Sequence, residues 1–477
     1  MLVSGVGLAC AFPEPDLTPL AWIALVPLLV AAPAGGARRG ALLGGLFGLG
    51  FFGTLLAWIS LVGWIPWAAL VSVQAAWLAL FGLAWALVGR SERRAVRLVA
   101  PAALWVALEY LRSSAPLGGF PWGQLAQSQH DTGWLLRLAA LGGGWLVAFA
   151  VVLANAALAE AVAARRGTRI GMVALAAVVL GAPALLSSAE VAGEPVDVAI
   201  VQGGVPRLGG DLVARDLAIT RRHQLLTERL GPTAPDLVVW PESAVGLDLE
   251  RTPEAARAVR SAARAVGAPL LVGGNLDEGP DRYRVVAFLI SPSGAIADRY
   301  QKTHLVPFGE FVPARRWLGW IPLLDRIPRD AVAGSEPALF SVAGGVVAPV
   351  ISFEGDFGSL VRRRIALGGR LLVVATNTST WGRSWASAQH LAFSQVRAAE
   401  NGVWVVHAAL SGISAFVRPD GSVLAATALG RPATSAATVR FARSVSPYAR
   451  TGDWLPLGCL VLGAGLVGAA ALRAGAR

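Results

Sequence analysis

The sequence LVVWPES at residues 237–243 runs from four apolar residues and a proline directly into a carboxylate, Glu242. The apolar run predicts a short buried strand, and Pro241 with Ser243 predicts a turn at its end. In α/β folds, polar side chains at such strand ends line the crevice in which ligands bind. Glu242 is therefore a candidate site residue rather than a solvated surface carboxylate.

Two further strand ends have reactive side chains. In YQKTHLVPFGEFVP, residues 300–313, Lys302 follows a predicted strand and a second carboxylate, Glu310, lies eight residues later. In VISFE, an apolar strand ends at Ser352, and Glu354 lies two residues further on. A carboxylate base, an ammonium that stabilises an oxyanion, and a nucleophile are the groups that covalent acyl transfer requires.

Around these three strings, between residues 189 and 452, short β-rich runs alternate with amphipathic helical stretches. This alternation predicts one α/β domain. Its strands are predicted at residues 196–201, 237–239, 269–273, 285–290, 346–351, 371–375, 403–407 and 413–417, and its helices at 212–230, 253–266 and 387–401.

The chain as a whole is too apolar for a soluble protein. Of its 477 residues, 55% are hydrophobic and only 15% are charged, and the mean hydropathy is +0.57. Such a composition indicates that membrane is the solvent for much of the chain. We predict an α-helical membrane bundle at residues 1–188, the α/β domain at 189–452, and a last transmembrane helix with a cytoplasmic tail at 453–477.

The predicted bundle rests on apolar runs that are long enough to cross about 30 Å of hydrocarbon as helices. Together with a shorter candidate at residues 2–12, they predict roughly eight spans. The longer runs lie at residues 17–32, 41–61, 65–88, 96–111, 134–163, 170–186 and 455–472.

The net charge of +11 comes from arginines in short loops, and these arginines form no single basic stripe. This distribution favours membrane orientation over nucleic-acid binding. Every second loop is basic, so the positive-inside rule places those loops in the cytoplasm and the α/β domain on the opposite face of the plasma membrane, in the periplasm or its equivalent. The arginines concerned are Arg38, Arg39, Arg93, Arg94, Arg97, Arg165, Arg166, Arg169, Arg473 and Arg477.

The two cysteines, Cys10 and Cys459, lie in apolar stretches far apart in the chain. They supply neither a disulfide framework nor a cysteine-based metal site. We expect no metal and no organic cofactor.

The three strings resemble the glutamate, lysine and nucleophile motifs of the nitrilase superfamily. The residues of the second motif, YQKTHLVPFGEFVP, together with the apolar spans, resemble those of the apolipoprotein N-acyltransferase family. Further likenesses are VQGGVP at residues 201–206, GFPW at 119–122, and QH followed by RAAENG within 389–402. The resemblance covers nearly the whole chain and implies a nitrilase-type α-β-β-α sandwich beside the membrane bundle.

The resemblance also implies a reaction and a role for each residue. An acyl chain would pass from a membrane phospholipid to the enzyme, and then to the α-amine of a lipoprotein's diacylglyceryl cysteine. Glu242 would be the general base, Lys302 the oxyanion stabiliser, and the residue at position 352 the nucleophile. Glu310 and Glu354 match the family's supporting carboxylates.

The sequence departs from the family at the nucleophile, where Ser352 replaces a cysteine. Neither Cys10 nor Cys459 can substitute for it, because both lie in apolar segments. A thiol is a far stronger acid than an alcohol, so a carboxylate base that suits cysteine is less well matched to serine. Two interpretations stay open: Ser352 is an active nucleophile, or it only fills the pocket.

Two other features invite interpretation. The segment at residues 315–324 is apolar and aromatic, with Trp317 and Trp320, and is either a loop packed on the domain's own core or an interfacial lid that contacts lipid; we favour the lid. In the span at 96–111, Glu109 has Arg112 three residues beyond, and this spacing predicts an ion pair at the membrane interface.

Two alternatives to lipoprotein acylation remain at this point. The lost cysteine suits a catalytically impaired homologue that acts as a membrane scaffold, for example for a polyprenol-phosphate mannosyltransferase as glycosyltransferase partner. An amidase acting on another extracytoplasmic substrate is the second. The retained Glu242 and Lys302 argue for chemistry, whereas Ser352 argues for the scaffold.

Overall fold

The computed structural model describes residues 1–187, 192–206, 211–231 and 235–475. Its internal contacts divide the chain into two compact units, one formed by Met1–Ala189 with Ser446–Arg477 and the other by Glu190–Val445. The predicted boundary between residues 188 and 189 lies outside the described residues, as does Arg477.

The first unit consists of helices, since helices satisfy their own backbone hydrogen bonds and so suit an almost continuously apolar sequence. Short 3₁₀ turns join several of them. The α-helices before the second unit are α1 (Leu2–Ala9), α2 (Val26–Ala31), α3 (Gly36–Leu55), α4 (Trp64–Val88), α5 (Arg94–Arg112), α6 (Gly133–Leu136), α7 (Ala139–Ala163) and α8 (Arg166–Gly181).

In the described part of the chain, five helical stretches are long and apolar enough to cross a membrane: Thr18–Leu55, Trp64–Val88, Ala139–Ala163, Arg166–Leu185 and Trp454–Arg473. The first of them overlaps two of the predicted spans, those at residues 17–32 and 41–61. Helix α1 is short, and α5 has four charged residues in its 19, so neither is among the five. The total of roughly eight spans stays a prediction.

Glycines let α3 and α4 approach closely. A Cβ atom on Gly44 would lie 2.1 Å from the Leu78 carbonyl oxygen, and one on Gly82 would lie 2.1 Å from the Gly40 oxygen. Small residues at a helix contact increase backbone packing, which is the main attraction between helices in lipid.

The second unit contains two β-sheets, and its strands form where the sequence has short apolar runs. The larger sheet has the order β13-β1-β2-β3-β4-β5, with β6 paired to β4, and the smaller sheet has the order β12-β11-β10-β9-β8-β7. The strands are β1 (Pro195–Gln202), β2 (Leu237–Asp248), β3 (Leu270–Asp277), β4 (Arg282–Ile290), β5 (Ile296–Gln301), β6 (Asp330–Ala331), β7 (Phe340–Val342), β8 (Gly345–Ile351), β9 (Leu371–Thr376), β10 (Trp404–Ala409), β11 (Ala415–Val417), β12 (Val423–Leu424) and β13 (Ala433–Arg440).

Helices cover the outer faces of the two sheets. One buried cluster joins apolar side chains from both sheets, and a second lies between the larger sheet and its helices. The predicted α-β-β-α sandwich is therefore confirmed. Its helices are α9 (Leu212–Glu228), α10 (Pro253–Val266), α11 (Arg315–Leu318), α12 (Gly358–Ala366) and α13 (Ala386–Asn401).

Strand direction brings several strand ends to one edge of each sheet. Strands β1, β2 and β3 are parallel, and β5 runs in the same direction because β4 is antiparallel to both of its neighbours. Strands β8, β9 and β10 are likewise parallel. Residues that follow these strands therefore share an edge, which is where such folds bind ligands.

The chain returns to the first unit through α14 (Pro447–Thr451) and α15 (Trp454–Gly475). Tyr448 lies against Gly143, where a Cβ would be 2.7 Å from the tyrosine ring. The Tyr448 hydroxyl and the Trp145 indole both donate to Asp453, at 2.8 and 3.1 Å. These bonds attach the start of α15 to α7.

Candidate active site

Glu242 lies inside β2 instead of beyond its end. We predicted a turn after residue 239, but the strand continues to Asp248, and its pairing with β3 shifts register between Trp240 and Val245. This irregularity accommodates Pro241 and a positive φ of 60° at Ser243. A bulge of this kind redirects side chains, so it explains how a carboxylate within a strand faces the site.

Lys302 follows β5 directly and is fully buried. Its Nζ lies 3.2 Å from Glu242 Oε1 and 2.5 Å from Glu310 Oε1. The second oxygen of Glu310 accepts a hydrogen bond of 2.8 Å from the Val306 amide, which closes the loop after the lysine. One ammonium is thus held between two carboxylates.

The electrostatics of this trio favour a proton acceptor at Glu242. Burial raises the pKa of Glu242, and the Glu310 carboxylate raises it further, against the opposing influence of Lys302. Burial alone lowers the pKa of Lys302, but the two carboxylates outweigh it and hold that pKa above its ordinary value. Lys302 therefore stays cationic, whereas Glu242 is a stronger base than an exposed glutamate.

Ser352 begins the 3₁₀ turn Ser352–Asp356 at the end of β8. Its φ of 51° is rare for a residue with a side chain, and strained backbone of this kind often occurs at functional sites. The hydroxyl accepts a hydrogen bond of 3.3 Å from Thr376 Oγ1, and the serine side chain lies near enough to Glu242 to lower the pKa of that carboxyl. Glu242 therefore pairs with Lys302 and lies beside Ser352.

Glu354 joins the lysine loop to the serine turn. Its carboxylate is completely buried and lies 3.5 Å from the guanidinium of Arg364. One oxygen accepts from Tyr300 Oη, Thr303 N and Oγ1, and His304 N, at 2.6 to 3.1 Å, and the other accepts from Ile351 N at 2.9 Å. This carboxylate thus fixes the backbone on both sides of the site.

Three polar contributors to the site were not predicted as such. Thr376 ends β9 and shows the same strand-end signal as Ser352, so the sequence contained a usable clue. Asp356 is buried, and its carboxylate lies 3.1 Å from His390 Nε2 on α13. No local pattern links residues 356 and 390, because their contact depends on the tertiary fold.

The segment at residues 315–324 contains the short helix α11, and its residues are half-buried or exposed. Trp317 and Trp320 have 66% and 78% of their surface exposed, which favours the lid over a loop packed on the domain core. Arg315 pairs with Asp330 at 2.6 Å, which attaches the segment to β6. The lid role of the two tryptophans stays a prediction.

Within the described ranges, no three His, Cys, Asp or Glu side chains cluster as a metal site would require. Cys10 and Cys459 belong to the helical unit. The groups that converge at the site are carboxylates, one ammonium and hydroxyls, which suit proton transfer and oxyanion stabilisation.

Comparison with known proteins agrees with both halves of the chain. Residues 4–157 match the family model described as apolipoprotein N-acyltransferase N-terminal domain, and residues 197–446 match the carbon-nitrogen hydrolase model. Among solved structures, an amidase of the nitrilase superfamily from Nesterenkonia aligns with 55% of this chain and 94% of its own, at 20% identity and a TM-score of 0.42.

Curated relatives match over almost the full length. An apolipoprotein N-acyltransferase of Geobacter metallireducens is 33% identical over 99% of this chain and 94% of its own length. One from Chromobacterium violaceum is 35% identical over 93% of this chain and 87% of its own. The chain therefore belongs to the apolipoprotein N-acyltransferase family, with a helical N-terminal region and a carbon-nitrogen hydrolase domain of nitrilase type.

Proposed function

We propose that this protein transfers an acyl chain from a membrane phospholipid to the N-terminal diacylglyceryl cysteine of lipoproteins through an acyl-enzyme on Ser352. The curated relatives bear the name of this activity. The observation that most supports the mechanism is that Glu242, a buried carboxylate of raised pKa, pairs with Lys302 at 3.2 Å and lies beside Ser352.

In the first half-reaction, Glu242 takes the proton of the Ser352 hydroxyl as its oxygen attacks the donor's ester carbonyl. The carbonyl oxygen becomes an oxyanion, which the Lys302 ammonium stabilises. The tetrahedral intermediate then breaks the bond to the lipid alcohol, which takes the proton from Glu242 and leaves. Ser352 now holds the acyl chain as an oxyester.

In the second half-reaction, the α-amine of the lipoprotein attacks the Ser352 ester. Glu242 takes a proton from the nitrogen and returns it to the serine oxygen when the C–O bond breaks. The products are an amide on the lipoprotein and the free enzyme. Glu310 and Glu354 act as supporting residues, since one fixes the lysine and the other fixes the turn.

The surroundings of Ser352 partly offset the weaker acidity of an alcohol. The Thr376 hydroxyl donates to the serine oxygen, which stabilises negative charge as the proton leaves. The raised pKa of Glu242 makes it a better acceptor than an exposed carboxylate. These two features favour an active serine over a residue that only fills the pocket.

We further propose a multi-pass protein of the bacterial plasma membrane with its α/β domain outside the cytoplasm. The arginine-rich loops support this orientation through the positive-inside rule. Trp317 and Trp320 would contact the lipid interface as an aromatic lid, which suits their exposure and the arginines beside them. The reaction itself needs no metal or organic cofactor.

The scaffold alternative, with a glycosyltransferase partner, gains no support from the relatives, whose names describe an acyltransferase. A silent scaffold also gives no reason to keep a buried lysine between two carboxylates, an arrangement with a large desolvation cost. The amidase alternative shares the site and differs only in the substrate.

The proposal is tested by incubating the purified full-length protein with a phospholipid labelled in its acyl chain. We expect a covalent acyl-enzyme in the native chain and none in Ser352→Ala. The ester should resist neutral hydroxylamine, whereas the thioester formed by Ser352→Cys should be cleaved. Transfer of the label to a synthetic diacylglyceryl-cysteine peptide distinguishes the acyltransferase from an amidase.

Each outcome has a clear meaning. Equal labelling of the native chain and Ser352→Ala would contradict the assignment of the nucleophile. If only Ser352→Cys were labelled, the pocket would be intact but Ser352 would not react with the donor. That result would support the scaffold alternative. Circular dichroism of each variant serves as the control for folding.

A further inference from the structure

Helix α13 contains the QH and RAAENG motifs, whose side chains take no part in the proposed reaction. The helix is nevertheless buried, and four polar side chains of these motifs are at most 3% exposed: His390, Arg397, Glu400 and Asn401. Polar groups buried to this extent need partners inside the protein. Their partners therefore show what the two motifs hold in place.

His390 reaches the turn that begins with the proposed nucleophile. Its Nε2 lies 3.1 Å from Asp356 Oδ1, and Asp356 is the last residue of the turn Ser352–Asp356. The ring of His407, on β10, has its centroid 5.2 Å from that of His390. His390 thus contacts the serine turn and the smaller sheet at once.

Arg397 holds the same end of the turn through the backbone. Its Nη1 donates to the Asp356 carbonyl at 3.2 Å, and a Cβ on Gly358 would lie 2.7 Å from that nitrogen. The guanidinium is itself fixed by Glu400, which lies 2.9 Å from Nε and accepts from Nη2 at 3.1 Å. Helix α13 therefore holds Asp356 by both its side chain and its carbonyl.

The turn needs this support because Ser352 has an unfavourable backbone conformation. Its φ of 51° lies in the left-handed region, and a residue with a Cβ stays there only where the surrounding structure fixes it. Glu354 fixes the start of the turn through the Ile351 amide at 2.9 Å, and α13 fixes its end. Without the second contact, Ser352 would be free to relax and move its hydroxyl away from Glu242.

We propose that His390 is a positioning residue which, through Asp356, holds Ser352 in the conformation that reacts. The inference rests on the proposed function and adds no contact with substrate. A displaced nucleophile lowers the rate of reaction after the donor has bound, and a shift of about 1 Å can cost about 100-fold. Loss of His390 should therefore lower the maximal rate of acylation and leave the half-saturating donor concentration unchanged.

The test compares two replacements of His390 in the full chain. Glutamine keeps a nitrogen that can donate to Asp356, whereas leucine fills the space without a donor. Single-turnover labelling is measured at increasing concentrations of acyl-labelled phospholipid in detergent micelles. We expect the maximal rate to fall about 30-fold in His390→Leu and to stay within about threefold of the native rate in His390→Gln. A residue that only filled the core would show the reverse order, because leucine is the better apolar filler.

His223→Leu is the matched control for stability. His223 is fully buried on α9, and its Nε2 accepts a hydrogen bond of 3.1 Å from the Gly203 amide. Its replacement also removes a buried polar contact, but one that does not involve the serine turn. It should lower the melting temperature by an amount similar to that of His390→Leu and keep the native labelling rate.

A second measurement does not require acyl transfer. In Ser352→Cys with Cys10 and Cys459 replaced by alanine, the only thiol is at position 352, and its alkylation by iodoacetamide depends on the thiolate that Glu242 helps to form. Adding His390→Leu should slow alkylation about tenfold, because the thiol moves away from its base, and adding His390→Gln should not. This result is expected even if the native serine forms no acyl-enzyme, so failure here is distinguishable from failure of the proposed function.

Three results would overturn the proposal. The first is that His390→Leu matches the native chain in labelling and its counterpart matches Ser352→Cys in alkylation. The second is that His390→Gln is as slow as His390→Leu, which would mean that donation to Asp356 is not what matters. The third is a higher half-saturating donor concentration at an unchanged maximal rate, which would assign His390 to donor binding.

Discussion

At the level of single residues, the protonation of Glu242 sets the pH range of the proposed reaction. Burial and the Glu310 carboxylate raise its pKa, and the base must be deprotonated to act. Acyl-enzyme formation should therefore fall as pH falls, beginning at a higher pH than for an exposed glutamate. In Glu310→Gln, loss of the neighbouring negative charge should lower the pKa of Glu242. The fall in the rate of acyl-enzyme formation, the acid limb of the pH–rate profile, should therefore move to lower pH.

The measurement is the rate of acyl-enzyme formation against pH in both proteins. Glu250→Gln is the matched control, because Glu250 is an exposed carboxylate paired with Arg299 at 3.1 Å and should leave the limb unchanged. An acid limb that does not move in Glu310→Gln would contradict the electrostatic account of Glu242.

Glu354 acts on the site through the backbone that it fixes. In Glu354→Gln, an amide NH2 group replaces one carboxylate oxygen and faces hydrogen-bond donors that the oxygen had accepted from. The buried Arg364 also loses its nearby negative charge. We expect the free energy of unfolding to fall by about 3 kcal/mol. Acyl-enzyme formation should fall by about 100-fold, because the lysine loop and the serine turn lose their common anchor.

Denaturant unfolding and single-turnover labelling measure these two effects of Glu354→Gln. The exposed Glu250→Gln variant again provides the comparison, with changes expected within about 0.5 kcal/mol. Unchanged stability of Glu354→Gln would show that the network around this carboxylate is not an anchor.

At the level of elements, the bulge of β2 depends on a glycine in the next strand. A Cβ on Gly273 would lie 2.3 Å from the Pro241 carbonyl oxygen and 2.6 Å from Glu242 Cα. Since both are backbone atoms, β2 would have to shift in Gly273→Ala. We expect a loss of about 2 kcal/mol in the free energy of unfolding and about a 100-fold slower acylation of Ser352.

Gly171→Ala in α8 is the matched control, since a Cβ there meets nothing within 4 Å. It should retain the native melting temperature and labelling rate. If Gly273→Ala behaved like this control, the close approach of the two strands would not be what positions Glu242.

The sequence predicted strands well where packing dictates an apolar run. Strands β8 and β9 begin and end within a residue of their predicted bounds, because β9 is buried throughout and β8 is buried over its last five residues. Strand β13 was missed, since its small and polar residues lack an apolar face. The second half of β2 was missed because Pro241 and Glu242 interrupt the pattern, although pairing with β3 maintains the strand.

The same distinction applies to the site. Residues at strand ends, such as Lys302 and Ser352, could be chosen from the sequence because local pattern and resemblance agreed. The contact of Asp356 with His390 arises from packing between distant elements, which no local pattern encodes. The roles of the chosen residues are still predictions that the labelling experiments test.

The exposed segment at residues 315–324 has a predicted role at the lipid surface. Replacing Trp317 and Trp320 together with serine should slow acylation from phospholipid vesicles about tenfold, because two interfacial anchors are lost. Acylation by a water-soluble short-chain ester should stay unchanged, since neither residue belongs to the proposed machinery. Leu367→Ser, at an exposed apolar position after α12, is the control. Equal slowing with both donors would argue against a lipid-contact role.

At the level of the whole molecule, the proposed reaction requires the α/β domain to face away from the cytoplasm, where exported lipoproteins are found. The arginine-rich loops predict this orientation. It can be tested in a chain whose two cysteines are replaced by alanine, because Cys10 and Cys459 are the only thiols. Asp281→Cys introduces an exposed thiol in the α/β domain, and Arg93→Cys introduces one in a basic loop.

A maleimide that cannot cross the plasma membrane should label Asp281→Cys in cells whose plasma membrane is intact and whose outer envelope has been made permeable to the reagent. Arg93→Cys should react only after the membrane is disrupted, because its loop is predicted to lie in the cytoplasm. Full labelling of both variants after lysis confirms that each thiol is reactive. The opposite pattern would place the α/β domain in the cytoplasm, where the proposed acceptor is absent. That result would contradict the proposed acylation of lipoproteins, even if Ser352 forms an acyl-enzyme in the purified protein.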